Sequence, residues 1–263
     1  MSRVICVANQ KGGVGKTTTA INLAASLAAA ERRTLLIDMD PQGNAGSGLG
    51  ITRQPLQGNV YDALLGRRPL EELIHSTELR FLDLVPSTAD LVGAELELVS
   101  QERREYRLQE ALRSIVDTYG YVIIDCPPSL GLLTLNALTA AHSVLIPIQC
   151  EYYALEGLSQ MLRTVDLVKR ALNPPLRTEG ILLTMFDGRA NLAHQVVEDV
   201  RAHFPALVFE SIVPRNVRLS ECPSFGKPIL LYDIKSKGGE SYLALGNEIM
   251  RREKEQAAVQ VVA

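Results

Sequence analysis

The sequence has no long hydrophobic run and no secretion signal. Nothing in its 263 residues approaches the roughly 18 consecutive apolar residues that a membrane-spanning helix needs. The first residues pass directly into a predicted strand, without the basic segment and apolar segment of a signal peptide. We therefore expect neither secretion nor membrane insertion, and we expect a cytoplasmic protein.

Cysteine is scarce and unpaired in the sequence. The four cysteines lie far apart and include no C-x-x-C pair: Cys6, Cys126, Cys150 and Cys222. This spacing predicts neither a zinc site nor a disulfide framework. We expect reduced thiols, as in a cytosolic protein.

The chain also lacks an excess of positive charge. Its formal net charge is −3, so the molecule as a whole does not attract nucleic acid, and any such binding needs a local patch. Residues 211–239 provide a modest one, with five basic and two acidic side chains. The apolar content of 46% is enough for a sizeable core, and we expect residues 1–263 to form one domain with a polar tail from about residue 251.

Apolar runs alternate with segments long enough for helices. The runs cover residues 4–8, 34–37, 81–85, 121–124, 143–148, 180–184 and 208–213. They are too uniformly apolar to face water on one side, which is typical of strands buried in a parallel sheet. The pattern predicts an α/β fold with a doubly wound, mostly parallel sheet and helices on both faces. In such sheets ligands bind at the carboxyl ends of the strands.

The region from 45 to 110 is less informative. Its pattern predicts a short helix at 59–65 and a longer one at 88–100, followed by another over 101–116. The charge run at 101–105 is interpreted as a solvated helix face.

A glycine-rich loop joins the first strand to an alanine-rich helix predicted over 17–30. Glycines at 12, 13 and 15 allow the backbone to turn sharply, so that successive N–H groups point inward at a helix N-terminus. This is the arrangement that binds phosphate. Lys16 then reaches the β- and γ-phosphates, and the Thr17 hydroxyl ligates Mg²⁺.

Carboxylates end two of the predicted strands. Asp38 and Asp40 follow the second strand, and they lie beside the phosphate loop if this strand neighbours the first. A carboxylate there does not bind triphosphate directly, but it orients a magnesium-bound or attacking water. Asp125 ends the strand at 121–124 and is followed by two prolines that stop the ladder, which is the form of a Walker B site.

The loop departs from the usual phosphate-loop pattern in an informative way. The pattern G-x-x-x-x-G-K-[ST] asks for glycine where Gln10 stands, and an extra lysine, Lys11, follows. The form K-G-G-x-G-K-T resembles the deviant Walker A loop of the ParA/MinD superfamily. Together with residues 38–44, 123–128 and 214–237, it makes the chain similar to chromosomal ParA-type (Soj-like) partitioning ATPases.

The resemblance implies an activity and a set of partners. Members use ATP and Mg²⁺, and ATP drives formation of a homodimer that sandwiches the nucleotide. The dimer binds double-stranded DNA without sequence preference, and a ParB-type centromere-binding protein stimulates hydrolysis. The chain would then be nucleoid-associated when ATP is bound, with no membrane partner.

The resemblance also assigns roles to individual residues. Lys11 would contact the nucleotide in trans, Lys16 would hold phosphates, and Asp40 would position the attacking water, which makes these three the catalytic set. The other assignments are phosphate contacts by Gly12, Gly13, Val14, Gly15, Thr17 and Thr18, Mg²⁺ binding by Thr17 and Asp125, adenine recognition by Pro214 and Asn216, and DNA binding by Arg189 and Arg218.

Three alternatives share the loop. A MinD-like positioning ATPase would end in an amphipathic helix with bulky apolar residues, and residues 251–258 have none. A reductase-type iron protein needs cluster-bridging cysteines, whose spacing is absent. A metabolic synthetase or kinase is distinguished by whether a metabolite, rather than DNA, accelerates ATP turnover.

Overall fold

A β-sheet forms the centre of the molecule. The structure is a computed structural model that describes residues 2–51, 56 and 58–262. Within these ranges the strands are β1 (Arg3–Val7), β2 (Thr34–Asp38), β3 (His75–Ser76), β4 (Leu82–Val85), β5 (Tyr121–Asp125), β6 (Ser143–Gln149), β7 (Arg177–Phe186) and β8 (Val208–Pro214). They form one sheet in the order β3-β4-β2-β5-β1-β6-β7-β8. Every described pair is parallel except β3 with β4.

Helices cover both faces of this sheet. They are α1 (Lys16–Ala29), α2 (Asn44–Gly48), α3 (Val60–Leu64), α4 (Leu91–Leu98), α5 (Arg107–Leu112), α6 (Leu132–Ala140), α7 (Ala154–Ala171), α8 (Asn191–His203), α9 (Val217–Glu221), α10 (Ile229–Tyr232) and α11 (Lys237–Val262). Alternate side chains of β1 enter opposite hydrophobic clusters: Val4 and Cys6 pack with α3 to α8, whereas Ile5 and Val7 pack with α1, α10 and α11. The predicted doubly wound, mostly parallel fold is confirmed.

The strand order corrects one expectation about the site. The second strand is not the neighbour of the first, because β5 lies between β1 and β2. Val7 and Asp38 both pair with Asp125 in register, so the carboxyl ends of the three strands are level. Asp40, which follows β2, therefore reaches the phosphate loop across the end of β5.

All predicted strands are present, but one predicted helix is broken. In place of a helix over 101–116 there is a 3-10 turn at Arg104–Tyr106 and then α5, and Arg103 has a φ of 53°. The cause is a tertiary contact: Asn136 on α6 donates to Arg104 O (2.8 Å) and accepts from Leu108 N (3.1 Å). These bonds replace hydrogen bonds that a continuous helix would make within itself.

Two further differences concern the edge strand β3 and the last residues of the described chain. The two-residue strand β3 was not predicted, because it is too short to show a hydrophobic period. The expected tail from about residue 251 is part of α11, which continues to Val262. None of the helices in the described ranges is long and apolar enough to cross a membrane.

Candidate nucleotide-binding site

The loop between β1 and α1 has the geometry of an anion cradle. Gly13 and Gly15 have φ values of 74° and 83°, which explains glycine at these two positions. Gly12 does not share this left-handed conformation, and a Cβ there would meet open space. Gly15 is the N-cap of α1, where no side chain caps the helix and no acidic residue stands in the first turn. The free N–H groups and the helix dipole therefore favour a bound anion.

Lys16 is enclosed beside this cradle. Its residue is only 7% exposed, and Nζ donates to Lys11 O at 3.1 Å. Burial lowers the pKa of Lys16, while the charges of Asp125 and Asp40 act in the opposite direction. Enclosure strengthens the attraction of the ammonium for a phosphate, and the two acids favour its charged form.

A cavity of about 300 Å³ brings the predicted phosphate-binding residues together with one of the acids. Its lining consists of Gly12, Gly13, Gly15, Lys16, Thr17, Thr18, Asp40, Asn44, Pro128 and Met185. Asn44 and Met185 were not predicted from the sequence. The predicted phosphate contact Val14 does not line this cavity; its side chain is buried, and its carbonyl accepts from the Thr184 hydroxyl at 2.9 Å.

Lys11 does not line this cavity. Its side chain is 39% exposed, and its Nζ lies 3.4 Å from Glu151 Oε2. The two lysines of the loop therefore differ in place: Lys16 faces the cradle of its own chain, and Lys11 stands outside it.

Asp38 and Asp40 have different surroundings. Asp38 is fully buried, its Oδ1 accepts Asp40 N at 3.0 Å, and its Oδ2 accepts Ala45 N at 3.0 Å. Burial, together with the charge of Asp40, raises the pKa of Asp38 to about 7. Both oxygens of Asp38 thus hold the backbone of the turn, whereas Asp40 faces the cavity. The geometry favours Asp40 over Asp38 as the group that meets a water.

Asp125 is buried with both carboxylate oxygens unpartnered among the described residues. Burial and the charge of Asp38 raise the pKa of Asp125 well above its usual range, and the neighbouring Thr17 and Lys16 oppose this. An orphaned carboxylate next to a phosphate-loop hydroxyl fits a cation. No cluster of three or more His, Cys, Asp or Glu forms a metal cage in the described ranges, and Mg²⁺ usually has few protein ligands besides water and phosphate. The residues present therefore fit Mg²⁺ held by Thr17 and by Asp125.

A second cavity, of about 540 Å³, extends from the cradle to the carboxyl end of β8. Gly15, Thr18 and Met185 line both cavities. The rest of its lining is Thr184, Val213, Pro214, Arg215, Asn216, Val217, Leu219, Ser220, Pro223 and Tyr242. The structure thus places the two predicted adenine-site residues, Pro214 and Asn216, within one cleft with the phosphate loop.

Local hydrogen bonds set up this second cavity. Asn216 is the N-cap of α9 and accepts Arg218 N at 2.9 Å through Oδ1, so its NH₂ group is not needed for the cap. Tyr242 arrives from α11 and pairs its hydroxyl with Thr19 at 3.2 Å. Met185 has a φ of 52°, a left-handed conformation that the sequence does not reveal.

The two predicted DNA-binding arginines follow neighbouring strands: Arg189 lies in the loop after β7, and Arg218 lies in α9 after β8. The two strand ends are adjacent, because Phe186 pairs with Pro214 and Arg215 N donates to Phe186 O at 2.9 Å. Arg189 is 89% exposed, and it holds both carboxylate oxygens of Asp187 at 2.9 and 2.8 Å. Arg218 pairs with Glu221 at 2.9 Å and with Asp233 at 3.5 Å. Arg189 lowers the pKa of Asp187 well below its usual range. The guanidinium groups are accessible, but each is paired with an acid.

Comparison with known proteins agrees with this geometry. A family model described as an AAA domain matches residues 2–178. The chain is 73% identical to the chromosome partitioning protein ParA of Myxococcus xanthus (strain DK1622), over 96% of this chain and 89% of that protein. It is 56% identical to the sporulation initiation inhibitor protein Soj of Bacillus subtilis (strain 168), over 95% of this chain and 98% of that one.

A solved structure also matches almost the whole chain. It is the cobyrinic acid a,c-diamide synthase of Mycobacterium smegmatis with bound ADP and magnesium, with a TM-score of 0.85 and 40% identity, covering 97% of this chain and 96% of that one. The chain therefore belongs to the AAA-domain family and, within it, to the ParA/Soj group of partitioning ATPases, as the resemblance in the phosphate loop predicted.

Proposed function

We propose that the chain is a partitioning ATPase that binds ATP with Mg²⁺, forms a homodimer around the nucleotide and binds DNA in that state. Its hydrolysis is stimulated by a ParB-type partner. The observation that carries the proposal is the cleft itself. The uncapped N-terminus of α1 and the enclosed Lys16 lie at one end of the cleft, near Asp125, whose carboxylate oxygens have no partner among the described residues. A cavity of about 540 Å³, large enough for a base, adjoins them.

The nucleotide fits this cleft in one direction. Its phosphates lie in the cradle against the N-terminus of α1 and Lys16, where positive charge and free N–H groups are concentrated. Its base lies in the larger cavity beside Pro214 and Asn216. Thr17 and Asp125 would hold Mg²⁺ there, and the ion would supply charge neutralisation at the phosphate oxygens.

Asp40 is the group that orients the attacking water. It lines the phosphate cavity and is 7% exposed, and its Oδ1 accepts Gln42 N at 2.9 Å, which fixes the side chain. A fixed acceptor near the terminal phosphate aligns water for in-line displacement. Lys16 stabilises the charge that develops on the phosphate oxygens.

The position of Lys11 supports a role in a second chain. Its contact with Glu151 is an exposed ion pair, which contributes little free energy and is easily exchanged for a phosphate. Next to Glu151, Tyr152 and Tyr153 are 76% and 63% exposed and stack edge to face. Large exposed aromatic rings beside the loop suit a surface that another copy covers.

The DNA surface is formed by the loop after β7 and by α9, which follows β8. Arg189 and Arg218 project from these segments, and phosphate groups of DNA replace their acidic partners. A two-fold dimer doubles the number of such contacts. Because each contact releases counterions, dimerisation by ATP gives ATP-dependent binding without sequence preference.

A synthetase is the second candidate, because the Mycobacterium smegmatis structure carries that name at 40% identity. The relatives named ParA and Soj, at 73% and 56%, favour partitioning. Co-sedimentation with random-sequence duplex DNA separates the two. We expect the chain to pellet with DNA in ATP, and to stay in solution in ADP or without nucleotide.

Turnover provides the matching control. ATP hydrolysis should rise with DNA and a ParB-type protein, and should not respond to cobyrinic acid. Equal pelleting under all three nucleotide conditions, or acceleration by cobyrinic acid alone, would contradict the partitioning proposal.

A further inference from the structure

Thr184 connects the two halves of the cleft. It lies near the end of β7, is 2% exposed, and forms part of the wall of the larger cavity. Its hydroxyl lies 2.9 Å from Val14 O and 3.0 Å from Ile148 O. Since carbonyl oxygens only accept, the single hydroxyl proton of Thr184 is shared between the two, with Val14 O slightly closer. One side chain thus joins β7, β6 and the phosphate loop.

The contact with Val14 fixes the orientation of a peptide unit. The Val14–Gly15 bond is trans, so the carbonyl of Val14 and the N–H of Gly15 point in opposite directions. With the carbonyl held by Thr184, the N–H of Gly15 faces away from Thr184. Gly15 lines both cavities, whereas Thr184 lines only the larger one, so the direction away from Thr184 is that of the phosphate cavity.

Nothing else in the loop enforces this orientation sterically. Gly15 has no Cβ, and an added Cβ would meet no atom within 4 Å. Glycine adopts positive and negative φ with similar ease, so the preceding peptide can turn over at little cost. A reversed peptide would present the Val14 carbonyl, an acceptor, to a phosphate oxygen and repel it.

We propose that Thr184 is a positioning residue for phosphate binding: its hydroxyl holds the Val14–Gly15 peptide so that the Gly15 N–H faces the phosphate groups of the nucleotide. The inference rests on the proposed function only in requiring that the chain binds a nucleotide. It assigns to a residue of β7, about 170 positions away in sequence, a part in shaping the loop.

The test compares two substitutions of similar size. Thr184→Val keeps the shape and removes the hydroxyl, whereas Thr184→Ser keeps the hydroxyl and removes a methyl group. Titration with ADP should show binding to Thr184→Val weakened about tenfold, equivalent to about 1.4 kcal/mol. Binding to Thr184→Ser should stay within about threefold of the parent, because the donor remains.

Two competitors separate positioning from general packing. Tripolyphosphate occupies only the cradle, and adenosine only the base cavity. Displacement of a fluorescent ADP analogue gives the inhibition constant of each competitor. In Thr184→Val the constant for tripolyphosphate should rise about tenfold and that for adenosine should stay unchanged, because only the phosphate contacts are affected. Melting of the nucleotide-free protein measures packing separately.

The outcomes are distinct. Parent-like ADP affinity in Thr184→Val, equal losses in the Val and Ser variants, or a matching loss of adenosine binding would each overturn the inference while leaving nucleotide binding intact. If Thr184→Val does not fold, Thr184→Ala removes the same hydroxyl without adding a methyl group, and the same ADP loss is expected. A parent protein that binds no ADP would overturn the proposed function as well.

Discussion

Replacing both Arg189 and Arg218 by alanine should flatten the salt dependence of DNA binding. If each arginine neutralises one phosphate, a dimer makes about four contacts, and the slope of log affinity against log salt contains a contribution of about −3.6. The ion pairs of Arg189 and Arg218 do not remove this contribution. Both are exposed, so exchanging their carboxylates for phosphates costs little.

The assay is a fluorescence titration of the ATP-bound protein with random-sequence duplex at several salt concentrations. A matched control replaces Arg67 and Arg103 by alanine. These two arginines are also exposed, and they form ion pairs with Glu97 and Glu110 respectively. These arginines lie near α3 and α5, away from the loops after β7 and β8. The control changes the net charge equally, so its slope should stay close to that of the parent.

The loss should be uniform across DNA sequences, because phosphate contacts carry no base information. Dimerisation by ATP should survive in both variants. An unchanged slope in the double variant, or an equal flattening in the control, would show that Arg189 and Arg218 are ordinary surface residues.

Three further predictions concern the cleft and the fold. Lys16→Ala should weaken ATP binding by roughly 100-fold in equilibrium titration, since it removes the enclosed charge beside the phosphates; near-parent affinity would refute that role. Asp40→Ala should slow hydrolysis at least about 100-fold in single-turnover assays with little change in ATP affinity; an unchanged rate would move the water-orienting role elsewhere. Glu248→Gln should reduce the free energy of unfolding in urea at pH 7. As the pH falls, the free energy of unfolding of this variant should decrease less than that of the parent. Burial alone would raise the pKa of Glu248, but hydrogen bonds from Glu210 N and from Ser211 lower it. The carboxylate therefore stabilises the fold above its unfolded pKa of 4.5, and this is lost as the pH falls through the lower folded pKa. A variant with the parent's acid profile would contradict this.

The fold was readable from the sequence because its signals are local. An uninterrupted apolar run predicts each buried strand. The glycines at 13 and 15 predict a turn with positive φ, a conformation that few other residues adopt. Asp125 was singled out because it ends an apolar run in a chain that also carries a phosphate loop. The run alone is a weak signal, since Asp38 ends a similar one and holds the backbone of a turn.

Other features depend on contacts that a single sequence does not display. The break after Arg103 follows from Asn136, which lies on another helix. Thr184 reaches the cleft from β7 and Tyr242 from α11, both far along the chain from the phosphate loop. Neither residue type by itself indicates a binding site. The strand order was also hidden, so the neighbour of β1 was identified only in the structure.

The phosphate-loop pattern predicts the role of only one of the two lysines. It assigns Lys16 to the phosphates of its own chain, whereas the role of Lys11 came only from the family resemblance. The structure encloses Lys16 and leaves Lys11 outside the cradle, paired with Glu151. This separation is what gives the proposed dimer its physical basis.

The mass of the ATP-bound protein tests that account most directly. Light scattering should report one chain, 28.8 kDa, in ADP, and twice that mass for Asp40→Ala in ATP, where slow hydrolysis preserves the complex. Adding Lys11→Ala to Asp40→Ala should return the mass to one chain while ATP still binds, because only the contact to the partner's nucleotide is removed. A double variant that remains at twice the mass in ATP would contradict the account.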